Sequence, residues 1–234
     1  MESSAAIEKR RHRETALSRL LRQTGEFATA ISRLALLVVI LTPILLASFL
    51  TVDLPIRAFD GLFGGDTVLR PSNWLTRGFF IMSLAPLITI LFARKYGGDE
   101  ASRAITAAWG VAAIAVFAEL SYLAPALEAG DMPPVRFTVV FVAAAMAAQY
   151  VAVGVYDVAR GGGKWWRAPL FAALGGNIAF LLIYFPGIYW GAAAPWLNWA
   201  VAGFTLQMAL AGLFLPVYAL VRRRLRPKGG FGGI

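Results

Sequence analysis

Trp196–Val221 reads WLNWAVAGFTLQMALAGLFLPVYALV, 26 residues without one Asp, Glu, Lys or Arg. About 20 apolar residues carry an α-helix across roughly 30 Å of hydrocarbon, so this stretch reads as a membrane span. Five more stretches have the same character: 34–51, 78–93, 104–124, 135–158 and 168–190. The second is the shortest and is interrupted by Pro86. Composition agrees, at 59% hydrophobic, 15% charged and a mean hydropathy of +0.66, far from the balance of soluble domains. The sequence predicts an all-α, polytopic membrane protein: six transmembrane helices in one domain over residues 34–221.

Charge sets the expected orientation. All but four of the 22 Lys and Arg fall in the tails or in the loops after spans two and four. The exceptions are Arg57, Arg70, Arg77 and Arg136. Cytoplasmic loops are enriched in Lys and Arg, which predicts both termini in the cytoplasm of a bacterial inner membrane. The net charge of +9 is juxtamembrane, where it attracts anionic lipid headgroups, so membrane lipids rather than nucleic acid are the expected partners. With no cysteine, thiolate metal sites and disulfides are excluded, and neither a metal nor a cofactor is expected.

Residues 1–33 form a basic cytoplasmic tail. Leu17, Leu20, Leu21, Phe27 and Ile31 recur at helical spacing, as in an amphipathic helix on the membrane surface, with a frayed tail as the alternative. Residues 222–234 form a second basic tail, rich in Gly. The segment from Asp53 to Arg77 carries turn residues and apolar side chains suited to a cap, or a lid, over the bundle mouth. Small residues repeat at four-residue spacing at Ala144, Ala148 and Ala152, at Ala108 and Ala112, and at Ala172 and Gly176. Such ridges let helix backbones approach closely.

Few polar side chains lie within the spans. Gln149 and Tyr150 in span four, Asn177 in span five and Gln207 in span six are the candidate substrate-binding residues. Asn177 stands roughly 13 Å along its helix and the two glutamines at similar depth, so three amides share one level on three helices. Amides both donate and accept, which suits a flat heterocycle better than an ion. Glu119 is the carboxylate well inside a span. A carboxylate there must be paired, protonated or wet, which makes it the candidate proton-coupling group, facing a vestibule or pairing with Arg77 or Arg136. The one histidine, His12, lies in the tail, no span holds a lysine, and no nucleophile–base constellation is present, so no enzyme activity is expected.

Three stretches carry a family resemblance. They are Thr89–Gly97 with Ala101–Ile105, Lys164–Pro169 with Gly176-Asn177, and Leu215–Tyr218. In order, spacing and six-span layout, from about Phe79 to Arg226, the chain resembles the vitamin-uptake-type family of queuosine precursor transporters, related to the six-helix substrate-binding components of vitamin uptake systems. The resemblance implies a small-molecule transporter and carries over Asn177, Trp165 and Trp166. It also marks departures: Ile90, Arg94, a residue around Phe180, and Leu206 or Gln207 stand where that family has charged groups, which puts a 7-deazaguanine substrate in doubt. The expected function is therefore uptake of a heterocyclic or vitamin-like small molecule, or substrate binding as a membrane subunit. The alternative is a non-transporting accessory subunit, with partner membrane subunits or a homo-oligomer in either case.

Overall fold

The computed structural model describes residues 16–63, 68–123, 134–161 and 163–225. The chain divides into two units, Met1–Leu36 and Leu37–Ile234. Helix α1, Ala16–Leu50, belongs to both. It does not break where the tail was expected to give way to the span. Its one glycine before residue 36, Gly25, costs only about 1 kcal/mol in a helix, and no proline precedes Pro43. The hydroxyls of Thr24, Thr29 and Ser32 turn back onto carbonyls of the preceding turn at 2.6, 2.7 and 2.9 Å, so they do not compete with the backbone ladder. Within the first unit Leu20, Leu21, Phe27 and Ile31 are exposed; Leu17 has no described side chain.

The second unit holds the remaining helices: α2 (Arg77–Met82), α3 (Ala85–Tyr96), α4 (Gly98–Leu123), α5 (Val135–Ala159), α6 (Arg167–Tyr189) and α7 (Trp196–Val221). Taken together, α2 and α3 make one span, so six segments among the described residues are long and apolar enough to cross a membrane. The break inside that span has a specific cause. Pro86 has no N–H to give to the carbonyl of Met82, four residues back, and its ring crowds that carbonyl. Helix α2 accordingly ends at Met82, and α3 restarts with Pro86 in its first turn.

Among the described residues, α5 and α6 form the most extensive helix pair. Its seam is the predicted small-residue ridge. Ala144, Ala148, Ala152 and Ala172 are each at most 2% exposed. A Cβ on Gly176 would stand 2.7 Å from the Ala148 carbonyl oxygen, so only glycine permits this approach. Gly78 plays the same part where α2 passes the end of α1: its added Cβ would lie 2.6 Å from the Val52 Cα, and Ser48 donates to the Gly78 carbonyl at 2.7 Å.

Among its described residues, the segment between α1 and α2 is held by hydrogen bonds to itself and to α7. Ile56 N–H donates to Leu75 at 2.9 Å, Arg77 N–H donates to Leu54 at 2.8 Å, and the Trp199 indole donates to the Val68 carbonyl at 3.0 Å. Trp74 and Leu75, at the end of this segment, are buried. The Asp60 carboxylate accepts the Ser72 N–H at 2.9 Å, and that bond, with Arg70 and Arg57 nearby, holds its pKa below the usual value.

Candidate functional site: an amide layer between two closed ends

Gln149 on α5 is fully buried, and among the described residues neither its side-chain nitrogen nor its oxygen has a hydrogen-bond partner. Asn177 on α6 is 4% exposed, and its amide nitrogen donates to the Met208 sulfur at 3.8 Å. Gln207 on α7 is 3% exposed; its amide nitrogen donates to Ser83 Oγ at 3.4 Å, and its oxygen is unpartnered. Contacts between neighbours put the three at one level. Gly176 abuts Ala148 and Ala152, so Asn177 and Gln149 stand at similar heights on α6 and α5. Asn177 then touches α7 at the residue after Gln207, and Gln207 reaches the break between α2 and α3. No hydrogen bond joins the three amides to one another among the described residues.

Ser83 is the member of this layer that the sequence alone did not reveal. It caps α2, donates to the Phe79 carbonyl at 2.9 Å and is 7% exposed. Its signal was present: a proline three residues on in a short apolar span marks a broken helix. Irregular backbone at membrane depth is stable only where protein or a cavity surrounds it, and broken helices supply polar groups at substrate sites.

Tyr150 and Glu119 stand apart from the layer. The Tyr150 hydroxyl shares a 2.6 Å bond with Thr106 Oγ1, tying α5 to α4. Glu119 lies on the exposed face of α4, and neither Arg77 nor Arg136 pairs with it among the described residues. Arg136 Nε donates instead to the Gly187 carbonyl at 2.8 Å.

On the capped side, the layer is closed by rings. Phe79 meets Phe180 at 5.4 Å, Tyr184 at 5.6 Å and Phe185 at 6.3 Å, all edge-on; Phe141 meets Phe180 at 6.4 Å. Phe180 is thus a core ring, and Ile90 is fully buried.

The opposite end is closed by a polar latch. Tyr156 and Tyr218, both buried, share a 2.8 Å hydroxyl bond. Arg94 donates to the Tyr218 hydroxyl at 3.2 Å and to the Arg222 carbonyl at 3.3 Å. Trp165 stacks on Tyr218 at 6.5 Å, and the Arg222 guanidinium lies 5.0 Å from the Trp165 ring centre. Arg94, a departure from the family pattern, here ties α3 to α7 without an ion pair among the described residues. Asp157 is committed elsewhere, to Arg160 at 3.1 Å.

The six apolar spans among the described residues make this a multi-pass helical membrane protein. Residues 76–221 match the family described as "Putative vitamin uptake transporter". The match covers more than half of the chain, and the chain belongs to that family. It begins at Thr76, the residue whose side chain caps α2, and ends with α7, leaving α1 outside. Neither a curated protein nor a solved structure matches the chain.

Proposed function

We propose that the protein takes up a small, flat, polar organic molecule, heterocyclic or vitamin-like, through the bacterial inner membrane, with both termini in the cytoplasm. It does so alone or as the substrate-binding membrane subunit of an uptake system. Gln149, Asn177 and Gln207 hold the substrate, with Ser83 beside them. One observation carries this function: a fully buried glutamine with no partner at either end of its amide, level with a second unpartnered amide oxygen. A buried polar group left unpaired costs about 1–3 kcal/mol, and a site kept in that condition is one that a ligand completes. Family membership and the broken helix at Ser83 support the same site. Tyr150 supports the layer from behind, through Thr106. Glu119, one turn before the end of α4, stands apart from the substrate as the proton-coupling group.

The test is uptake by cells expressing the full chain, offered a panel of labelled heterocycles and vitamins that includes a 7-deazaguanine. Accumulation of one compound above vector control is expected. Gln149→Leu should reduce it at least tenfold, with the protein made at wild-type level. Uptake unchanged in Gln149→Leu removes the amide layer from the pathway. Glu119→Gln should abolish only the pH dependence of uptake, and a pH profile identical to wild type removes the coupling role.

A second function, an accessory subunit that transports nothing, is favoured by one observation: Phe79, Phe180, Tyr184 and Phe185 fill the core beside the layer. Copurification of a stable partner, with no uptake of any compound in the panel, would favour it.

A further inference from the structure

A groove of about 420 Å³, open along one side, lies among the second half of α1, α4 and the first half of α5. Leu45 and Phe49 of α1 and Ala112 and Ala113 of α4 line it; Ala112 is buried and Ala113 exposed. From Trp109 to Leu120 its wall follows α4 for eleven residues, about 16 Å. The α5 wall from Thr138 to Met146 adds eight residues at the same end of the bundle, about 12 Å. Half of a bilayer's hydrocarbon is about 15 Å. The slot is therefore one leaflet deep, in the leaflet next to the α4–α5 connection.

Three occupants can be weighed against its dimensions and chemistry. Water needs two to four polar partners for each molecule, and the wall offers only the Thr138 hydroxyl and the Trp109 indole, whose buried N–H has no partner. A further transmembrane helix, about 10 Å across and 16 Å long, displaces roughly 1,200 Å³, several times the space present. Left bare, an apolar groove of this size forfeits dispersion contacts along its lining. A single hydrocarbon chain fits in length, girth and polarity.

We infer that this slot is a binding site for one lipid acyl chain, which wedges α1 against α4 and α5 and remains with the protein when the surrounding lipid exchanges. It is separate from the amide layer: none of its lining residues is Gln149, Asn177, Gln207 or Ser83.

Trp109 supplies the probe. The full chain, purified in detergent, is titrated with phosphatidylcholine brominated on its acyl chains, and tryptophan quenching in wild type is compared with that in Trp109→Phe. The difference isolates Trp109 and should saturate near one lipid per protein. Ala113→Leu should reduce it severalfold and Ala113→Phe should abolish it, because both fill the slot. Ile114→Phe, on the 70% exposed neighbouring position, should leave it unchanged. Wild type and Ala113→Leu decide the matter even if the phenylalanine variant does not fold. A Trp109 contribution that is not quenched, that rises in proportion to lipid without saturating, or that persists in Ala113→Leu overturns the site.

Discussion

The two ends of the bundle are closed by different chemistry. Beneath the cap, Phe79, Phe141, Phe180, Tyr184 and Phe185 interlock ring against ring. At the other end, Arg94, Tyr156, Tyr218 and Arg222 are joined by three hydrogen bonds and by cation–ring contacts. Each aromatic pair adds about 0.5–1.5 kcal/mol beyond the area it buries, and the pairs share members, so separating one ring disturbs several. Each hydrogen bond of the latch contributes a net amount of about 1 kcal/mol, and its groups find water readily at the membrane boundary. If the amide layer must reach one side of the membrane, the latch is the less costly end to open.

The largest expected effect tests the ring cluster. Phe79→Ala should destabilise the fold by about 3–5 kcal/mol, the usual loss for a buried phenylalanine, measured by thermal or denaturant unfolding in detergent. A loss below 1 kcal/mol would mean that the rings are not the firmer closure. Arg94→Gln comes next. It should cost about 1–2 kcal/mol, and it should also raise the rate at which a cysteine at Gly98, beside Asp157, reacts with a water-soluble thiol reagent. An unchanged rate would remove the latch from any opening step.

Smaller still is Gln149→Leu, between the two ends. It removes an unpaired amide from the core, so stability should hold or rise by up to about 2 kcal/mol while substrate binding is lost. A clear loss of stability would show that the amide is satisfied in the resting protein.

The smallest effect concerns the cap over the rings. Asp60 has its pKa lowered chiefly by the Ser72 N–H, so its contribution to the folded cap is present above the ordinary value near 3.8 and is lost as pH falls through the lowered one. Acid should therefore loosen the cap, seen as a red shift of buried Trp74 emission, and Asp60→Asn should show no such transition.

The spans were legible because hydrocarbon imposes a length and a polarity that few sequences meet by accident. The α5–α6 seam was legible too: Ala148, Ala152 and Gly176 show their spacing in one dimension, and close approach follows from their lack of bulk. The candidate layer was legible in its amides but not in Ser83, whose place depends on how α2 stops before Pro86. The latch was hidden. Arg94 counted among the loop charges, and the hydroxyl bond between Tyr156 and Tyr218 joins residues 62 apart in sequence.

By itself, then, the sequence determined the solvent, the six helices, the charge asymmetry and the short list of buried polar groups, all set by composition and by periods within a single helix. Tertiary structure alone decided which faces those helices turn to one another. It set Glu119 outward and Gln149 inward, made Phe180 a core ring and Arg94 a tie, and left space beside Ala113. The physical reason is that rotation about a helix axis is settled by packing against neighbours. In spans that are apolar on nearly every face, no single segment carries that information.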